Sequence, residues 1–265
     1  MLDPAVFEFY DLYDEDARLT TPAGKFEFAR TLDILARHLP PPPARILDIG
    51  GATGPYSEAL AAQGYETHLL DPIPRHIEIA AQRTGIASVT RGDARRLPWS
   101  GNQADAILLM GPLYHLAEPS ARHSALLEAR RVLKRGGILA AAAIGRFTAF
   151  LDGLNRGFID DPLFQPILLK TIDSGIHEND SGDPSYFTSA HYHLPAELRT
   201  EIEHGGFVEP QIFGVEGPAY IAPDLEARWR DPVRRAFLLE VLRRIEREET
   251  LLGASQHLLA IARKP

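Results

Sequence analysis

Short apolar runs alternate with longer amphipathic stretches along this chain. Residues 45–49 form an apolar run broken only by Asp48, and similar runs recur at 65–70, 87–91, 104–110 and 138–144. Runs of this length, bounded by turn residues, read as buried strands of a parallel sheet. Helical spacing appears between them at 55–62 and 119–133, the second stopped by Lys134-Arg135-Gly136-Gly137. Upstream, Thr21 and Pro22 read as the N-cap and first position of a helix reaching about Leu39, with Phe28, Leu32, Leu35 and Leu39 on one face. The prolines at 40–43 end it and act as a stiff spacer into the first strand. The rhythm breaks over 146–193, a stretch dense in large apolar residues that carries a polar loop at 173–185. It resumes with a helix at 195–204 and a strand at 208–215. Asp231-Pro232 then opens a helix whose apolar stripe is Val233, Phe237, Val241 and Ile245, and 257–262 is a last strand, antiparallel at the sheet's far edge. The pattern predicts an α/β sandwich.

The first strand carries the chemistry. It runs into three glycines, Gly50, Gly51 and Gly54, and then into a helix starting near Pro55. Glycines let the backbone turn sharply and approach a ligand without Cβ atoms in the way, and a helix N-terminus offers free N–H groups to an anionic group. The second strand ends at Asp71, followed by Pro72 and Ile73. A carboxylate there suits the two hydroxyls of a ribose, or else caps the turn before Pro72. The third strand is followed by Gly92-Asp93-Ala94, and the fourth by Met110-Gly111-Pro112-Leu113-Tyr114-His115. Ligands in open α/β sheets sit beyond the carboxyl ends of the strands, so these four loops converge on one site. The glycines fall as G-G-x-x-G, against the G-x-G-x-x-G of a dinucleotide fold.

Composition narrows the partners. The chain has 265 residues and a net charge of −8, which opposes a nucleic-acid backbone as partner because that affinity comes from phosphate neutralisation. It has no Cys, so disulfides, thiolate metal sites and cysteine nucleophiles are excluded together. No basic-then-apolar leader and no membrane-spanning apolar run is visible, making the cytoplasm the expected location. His191 and His193 share a strand face, but two imidazoles without an evident carboxylate partner make a poor metal site, and no metal is expected.

Asp48-x-Gly50-x-x-x-Gly54, with acids at the next two strand ends, resembles the first motif of class I S-adenosylmethionine-dependent methyltransferases. Ala52 stands where the family's middle glycine is usual. The Gly-Pro-Leu-Tyr-His-Leu run is similar to small-molecule members and lacks the Asn of Asn-Pro-Pro-Tyr relatives. The resemblance implies a Rossmann-like sheet of seven mostly parallel strands, with the last antiparallel beside the fifth, and S-adenosylmethionine as cofactor. It implies cofactor contacts from Asp48, Gly50, Gly51, Ala52, Gly54, Asp71, Pro72, Ile73, Gly92, Asp93, Ala94, Met110 and Gly111, with Tyr13 and Arg18 added by an N-terminal lid. Asp93 would receive the adenine amine.

The chain then divides into a lid and helix (1–43), a cofactor-binding core (44–145), a helical substrate cap (146–193) and the remainder of the sheet (194–265). Tyr10, Tyr114, His115, Arg146, Phe147, Phe150 and His191 are the candidate substrate contacts, and His115 and His193 the candidate bases. The region 146–193 reads as the cap or as a dimer face, and the protein as a monomer or homodimer. The expected reaction is methyl transfer to a small, partly apolar acceptor. Against it stand a nicotinamide-dependent dehydrogenase, non-methylating chemistry on the same fold, and a regulatory module that only binds the cofactor.

Overall fold

The computed structural model describes residues 3–265, so the first two residues of the expected lid lie outside the described residues. Its strands are β1 (Arg45–Ile49), β2 (Glu66–Asp71), β3 (Ser88–Arg91), β4 (Ala104–Leu109), β5 (Leu133–Gly145), β6 (Ile176–His177), β7 (Ala190–His193), β8 (Val208–Gly214) and β9 (His257–Arg263). The first five lie parallel in the order β3-β2-β1-β4-β5. β1 and β4 run through the middle with nearly every side chain buried, which is why their sequences are apolar without alternation. Helices cover both faces. One core packs Leu126, Ala129 and Val132 of the helix Pro119–Val132 and Leu198 and Ile202 of Pro195–His204 against the sheet. The other packs Ile34 and Leu35 of Pro22–His38 and Leu60 of Pro55–Ala61.

β9 runs antiparallel to β5, in register from Ile138↔Arg263 to Ile144↔His257, and β8 pairs along its other side. It is therefore an interior strand and not the far edge the sequence suggested. Seven strands match expectation, and the β6–β7 hairpin adds two. β5 has 13 residues, whereas β4 accompanies it only to the Leu109↔Ala141 pair. β9 holds the opposite side, so β7 takes the stretch β4 leaves bare, pairing at Ile144↔Tyr192 and Gly145↔His193. The 146–193 segment is thereby stitched to the open end of the sheet.

Two expected helix faces hold only in part. Pro22–His38 buries Leu35 as expected, and Leu39 just beyond it, but its buried face is completed by Phe26, Arg30, Thr31 and Ile34, while Phe28 and Leu32 are only half-buried. In Pro232–Ile245 three of the four expected stripe residues point to solvent, with Val233 78% and Phe237 71% exposed and Val241 beside them. Only Ile245 of that stripe turns inward, packing with Leu238, Leu242, Phe26, Tyr220 and Leu225. The physical reason is a buried ion-pair network beside that contact. Arg30, fully buried, donates to the Val215 carbonyl (2.9 Å), to Asp33 (2.7 Å) and to Glu246 (2.8 Å), and Arg37 joins Glu246 at 2.6 Å. Glu246 fixes how the helix end rotates, and the rotation decides which leucines turn inward.

Removing one partner of a buried pair leaves an uncompensated charge, at a cost of about 3 kcal/mol. Glu246→Ala should therefore lower the urea midpoint by that equivalent with the m-value unchanged. A shift below about 1 kcal/mol, the size of an exposed pair, would show that the network does not set this junction.

Candidate active site

The C-terminal ends of β1, β2 and β4 open into one cavity of about 640 Å³. The turn after β1 is shaped by close packing. Gly50 has φ +71, and a Cβ there would lie 2.7 Å from Pro112 Cδ; at Gly51 it would lie 2.7 Å from the Asp48 carboxylate. Ala52, also left-handed at φ 49, donates its N–H to Asp71 Oδ2 at 3.0 Å. Asp71 Oδ1 accepts from the Ile73 N–H (2.9 Å) and from His76 Nδ1 (3.0 Å). Gly50, Gly51, Ala52, Asp71, Pro72, Ile73, Asp93, Ala94, Met110 and Gly111 all line this half of the cavity, as expected.

Three expected contacts do not line it. Asp48 lies under the turn, accepting from Ser57 Oγ at 2.7 Å, and burial with the nearby Asp71 charge pushes its carboxyl up to about 6. Gly54 (φ +88) starts the helix Pro55–Ala61, and a Cβ on it would meet Ile86 and Leu69. Gly92 is small because Leu70 lies 2.6 Å from where its Cβ would be. All three shape the cradle from behind. Asp93 does line it, held by Arg95 Nε at 2.9 Å.

The other half is walled from two directions. The helix Pro4–Leu12 brings Phe9 and Tyr10, and Phe9 stacks on Tyr13 (4.8 Å) and meets Phe187 edge-on (5.4 Å). The N-terminal segment and the 146–193 segment thus touch over the cavity. Tyr10 Oη lies 2.8 Å from His115 Nε2, and His115 Nδ1 faces the Ser189 carbonyl at 3.4 Å. That assigns the ring proton to Nδ1 and makes Nε2 the acceptor of the Tyr10 hydroxyl. Burial pushes the His115 pKa down to about 4. Tyr114 lines the cavity too, its hydroxyl donating to the Met110 carbonyl (2.8 Å). Arg18 lines it while bonded to Glu15 (2.8 Å) and Glu27.

The remaining candidates sit elsewhere. Phe147 and Phe150, both more than one-third exposed, do not line the cavity; the helix Thr148–Arg156 turns Thr148, Ala149, Asp152 and Arg156 to it instead. Arg146 is buried against the Tyr192 carbonyl (2.8 Å) and Glu197 (2.8 Å). His191 pairs with Glu197 (2.8 Å) and His193 with Glu201 (3.3 Å). The carboxylates missing from the sequence reading are thus present, on Pro195–His204, but Arg146 and Arg122 already bind them. His191 and His193 clamp β7 to that one helix and do not reach the cavity, which removes His193 as a base and Arg146 and His191 as substrate contacts.

Sequence reasoning missed His76 and His257, both on the cavity wall. His257 Nδ1 bonds Glu216 Oε1 at 2.6 Å, and its backbone N–H bonds Glu216 Oε2 at 2.9 Å. Burial opposes protonation of this ring, but the Glu27 and Glu216 charges outweigh it and raise its pKa to about 9. A usable signal existed. A last strand running antiparallel presents its first residue, not its last, to the open end of the sheet.

The donor set fits S-adenosylmethionine. The Cβ-free turn leaves room for close approach, Asp71 stands at the ribose position, and His76 Nε2 is buried in the wall without a partner among the described residues.

Residues 47–141 match the family model of a methyltransferase domain. The chain is 34% identical over 116 residues to a ubiquinone biosynthesis O-methyltransferase of Cereibacter sphaeroides, covering 42% of this chain and 46% of that protein. It is 34% identical over 101 residues to a demethylmenaquinone methyltransferase of Renibacterium salmoninarum, covering 38% and 41%. The matched stretch thus spans less than half of either relative. Its fold resembles that of a S-adenosylmethionine-dependent methyltransferase of Thermotoga maritima, a possible histamine N-methyltransferase, at TM-score 0.60, 19% identity and coverage of 98% and 100%. The cyclase SpnF shares it at TM-score 0.54, 20% identity and coverage of 89% and 81%. With the glycine turn, the Asp71 strand end and the antiparallel β9 in place, the chain has the fold of S-adenosylmethionine-dependent methyltransferases, and its residues 47–141 match a methyltransferase domain.

Proposed function

We propose that this protein transfers the methyl group of S-adenosylmethionine to a small, partly aromatic acceptor, enclosed by the N-terminal lid and the 146–193 cap. One observation carries the reading: the cradle of Gly50, Ala52 and Asp71 and the aromatic wall of Tyr10, Phe158, Phe164, Tyr186 and Phe187 belong to a single continuous cavity. When bound, the cofactor supplies an electrophilic methyl on a sulfonium. The protein's work is then to align an acceptor atom and keep water out. The name of the ubiquinone biosynthesis O-methyltransferase relative favours a hydroxylated aromatic ring as the acceptor class.

Two of the cavity's histidines, His115 and His257, suit different tasks. His115, with a pKa near 4, is a weak base and is neutral at pH 7. It holds the Tyr10 hydroxyl, and we read the pair as orienting the acceptor rather than abstracting its proton. His257, with a pKa near 9, is a cation at pH 7. Its Nδ1 is engaged by Glu216, so Nε2–H is the donor offered to the acceptor's polar group. A second reading, chemistry without methyl addition, is favoured only by the fold shared with the cyclase.

S-adenosylhomocysteine should raise the melting temperature by mass action, while NAD should not. A panel of phenols, amines and thiols should release S-adenosylhomocysteine with a hydroxylated aromatic and yield a methylated product. Turnover with unchanged product mass would establish the second reading, and no turnover across the panel would remove the proposed acceptor class.

Because His115 stays neutral above about pH 5, kcat should show no inflection from it between pH 5.5 and 8. An inflection near 6.5 that vanishes in His115→Ala would restore a general-base role.

The folded-state pKa of His257 is raised from 6.5 to about 9. Stability from such a shift is fully present below pH 6.5 and is lost as pH rises through 9. The melting temperature should decline over that window, and His257→Gln should flatten the decline. Equal slopes in the two proteins would mean the ring is not protonated at neutral pH.

A further inference from the structure

A ribose presents two hydroxyl donors, and the Asp71 carboxylate is nearly full before any ligand arrives. Oδ1 receives both the Ile73 N–H and His76 Nδ1, and Oδ2 receives the Ala52 N–H. A carboxylate has about four lone-pair directions, so roughly one remains, on Oδ2. One carboxylate with one direction left does not satisfy a diol. His76 supplies what is missing. Its Nδ1 faces a carboxylate, so that nitrogen carries the proton and Nε2 carries a lone pair. The ring is 3% exposed, it lines the cavity, and Nε2 has no partner among the described residues. The edge-on contact of Tyr10 at 5.6 Å helps hold the ring in place. A buried nitrogen acceptor left unpaired is unfavourable by itself, which explains why a ligand hydroxyl would be bound tightly there.

We infer that His76 is a cofactor-binding residue whose Nε2 accepts one ribose hydroxyl of S-adenosylmethionine, while Asp71 Oδ2 accepts the other. The inference rests on the cofactor reading of this site. It makes the diol pocket a two-residue device, with the Asp71–His76 hydrogen bond fixing the tautomer that gives it an acceptor.

The test is calorimetric titration of S-adenosylhomocysteine and of its 2′-deoxy and 3′-deoxy analogues. The wild-type protein should bind the analogue lacking the His76-bound hydroxyl about tenfold more weakly than the parent. His76→Phe should lose about tenfold for S-adenosylhomocysteine, or about 1.4 kcal/mol, yet bind that one analogue as the wild type does. His76→Gln, which keeps an acceptor, should bind the parent within about threefold of wild type. Equal losses for parent and both analogues in His76→Phe, or no loss at all, would overturn the assignment and leave the cofactor reading intact. Failure of the wild type to bind S-adenosylhomocysteine would overturn both. The ¹⁵N resonance of His76 Nε2 in the unmutated protein gives an independent readout should His76→Phe not fold. It should move on adding the parent and not on adding the affected analogue, and an unmoved resonance also overturns the inference.

Discussion

Asp71 ties the ends of β1 and β2 together through one buried carboxylate. Its bond from the Ala52 N–H holds a residue with a Cβ in the left-handed backbone region, a conformation that is unfavourable for alanine by about 1 kcal/mol. Its bond from the Ile73 N–H fixes where the chain leaves β2. Asp48 sits beneath the same turn, so closely that Gly51 has no room for a Cβ. The cradle is therefore shaped from two sides by acids, one above and one below. Only the upper one lines the cavity; the lower one is buried beneath the turn, with Oδ2 bonded to Ser57.

The same cavity holds imidazoles with opposite protonation. His115 is surrounded by aromatic rings and a carbonyl, with no carboxylate bonded to it, so desolvation decides its state. His257 is as enclosed but lies between Glu216 and Glu27, and charge decides. One cavity wall thus runs from a neutral imidazole to a cationic one. The ion pairing of Arg18 with Glu15 and Glu27 ties the N-terminal segment to the cationic side.

The half of the cavity built by the strand ends was legible because its parts come in a fixed order. A strand, a glycine turn, and an acid at the next strand end follow one another at the spacing that the strand–helix rhythm sets, even though Asp71 bonds Ala52 and Gly50 packs on Pro112 across the fold. The aromatic half was not, because its side chains depend on partners that no sequence spacing marks. Arg146, His191 and His193 have the chemistry of a site, but Glu197 and Glu201 on the following helix draw them away from the cavity. Phe147 and Phe150 fit an apolar wall by type, whereas the rotation of Thr148–Arg156 presents Thr148 and Asp152 instead. The helix Pro232–Ile245 failed for the same reason: a stripe read from spacing alone cannot register a buried Arg30–Glu246 bond.

The segment after β5 leaves and returns at one point. Arg146 donates its backbone N–H to the His193 carbonyl at 2.8 Å, immediately beyond the Gly145↔His193 pair. Everything between is an excursion whose two ends are already joined, like a loop of thread with its base knotted. Closing a longer or shorter loop at that knot changes the chain entropy only slowly, by about 0.6 kcal/mol for each doubling of length. Insertions, deletions and wholesale replacement there would leave the β1–β5 ladder and the Asp71 cradle in register. The architecture thus uncouples the length and content of one cavity wall from the geometry of the other, because the knot at Gly145 and His193 absorbs the change.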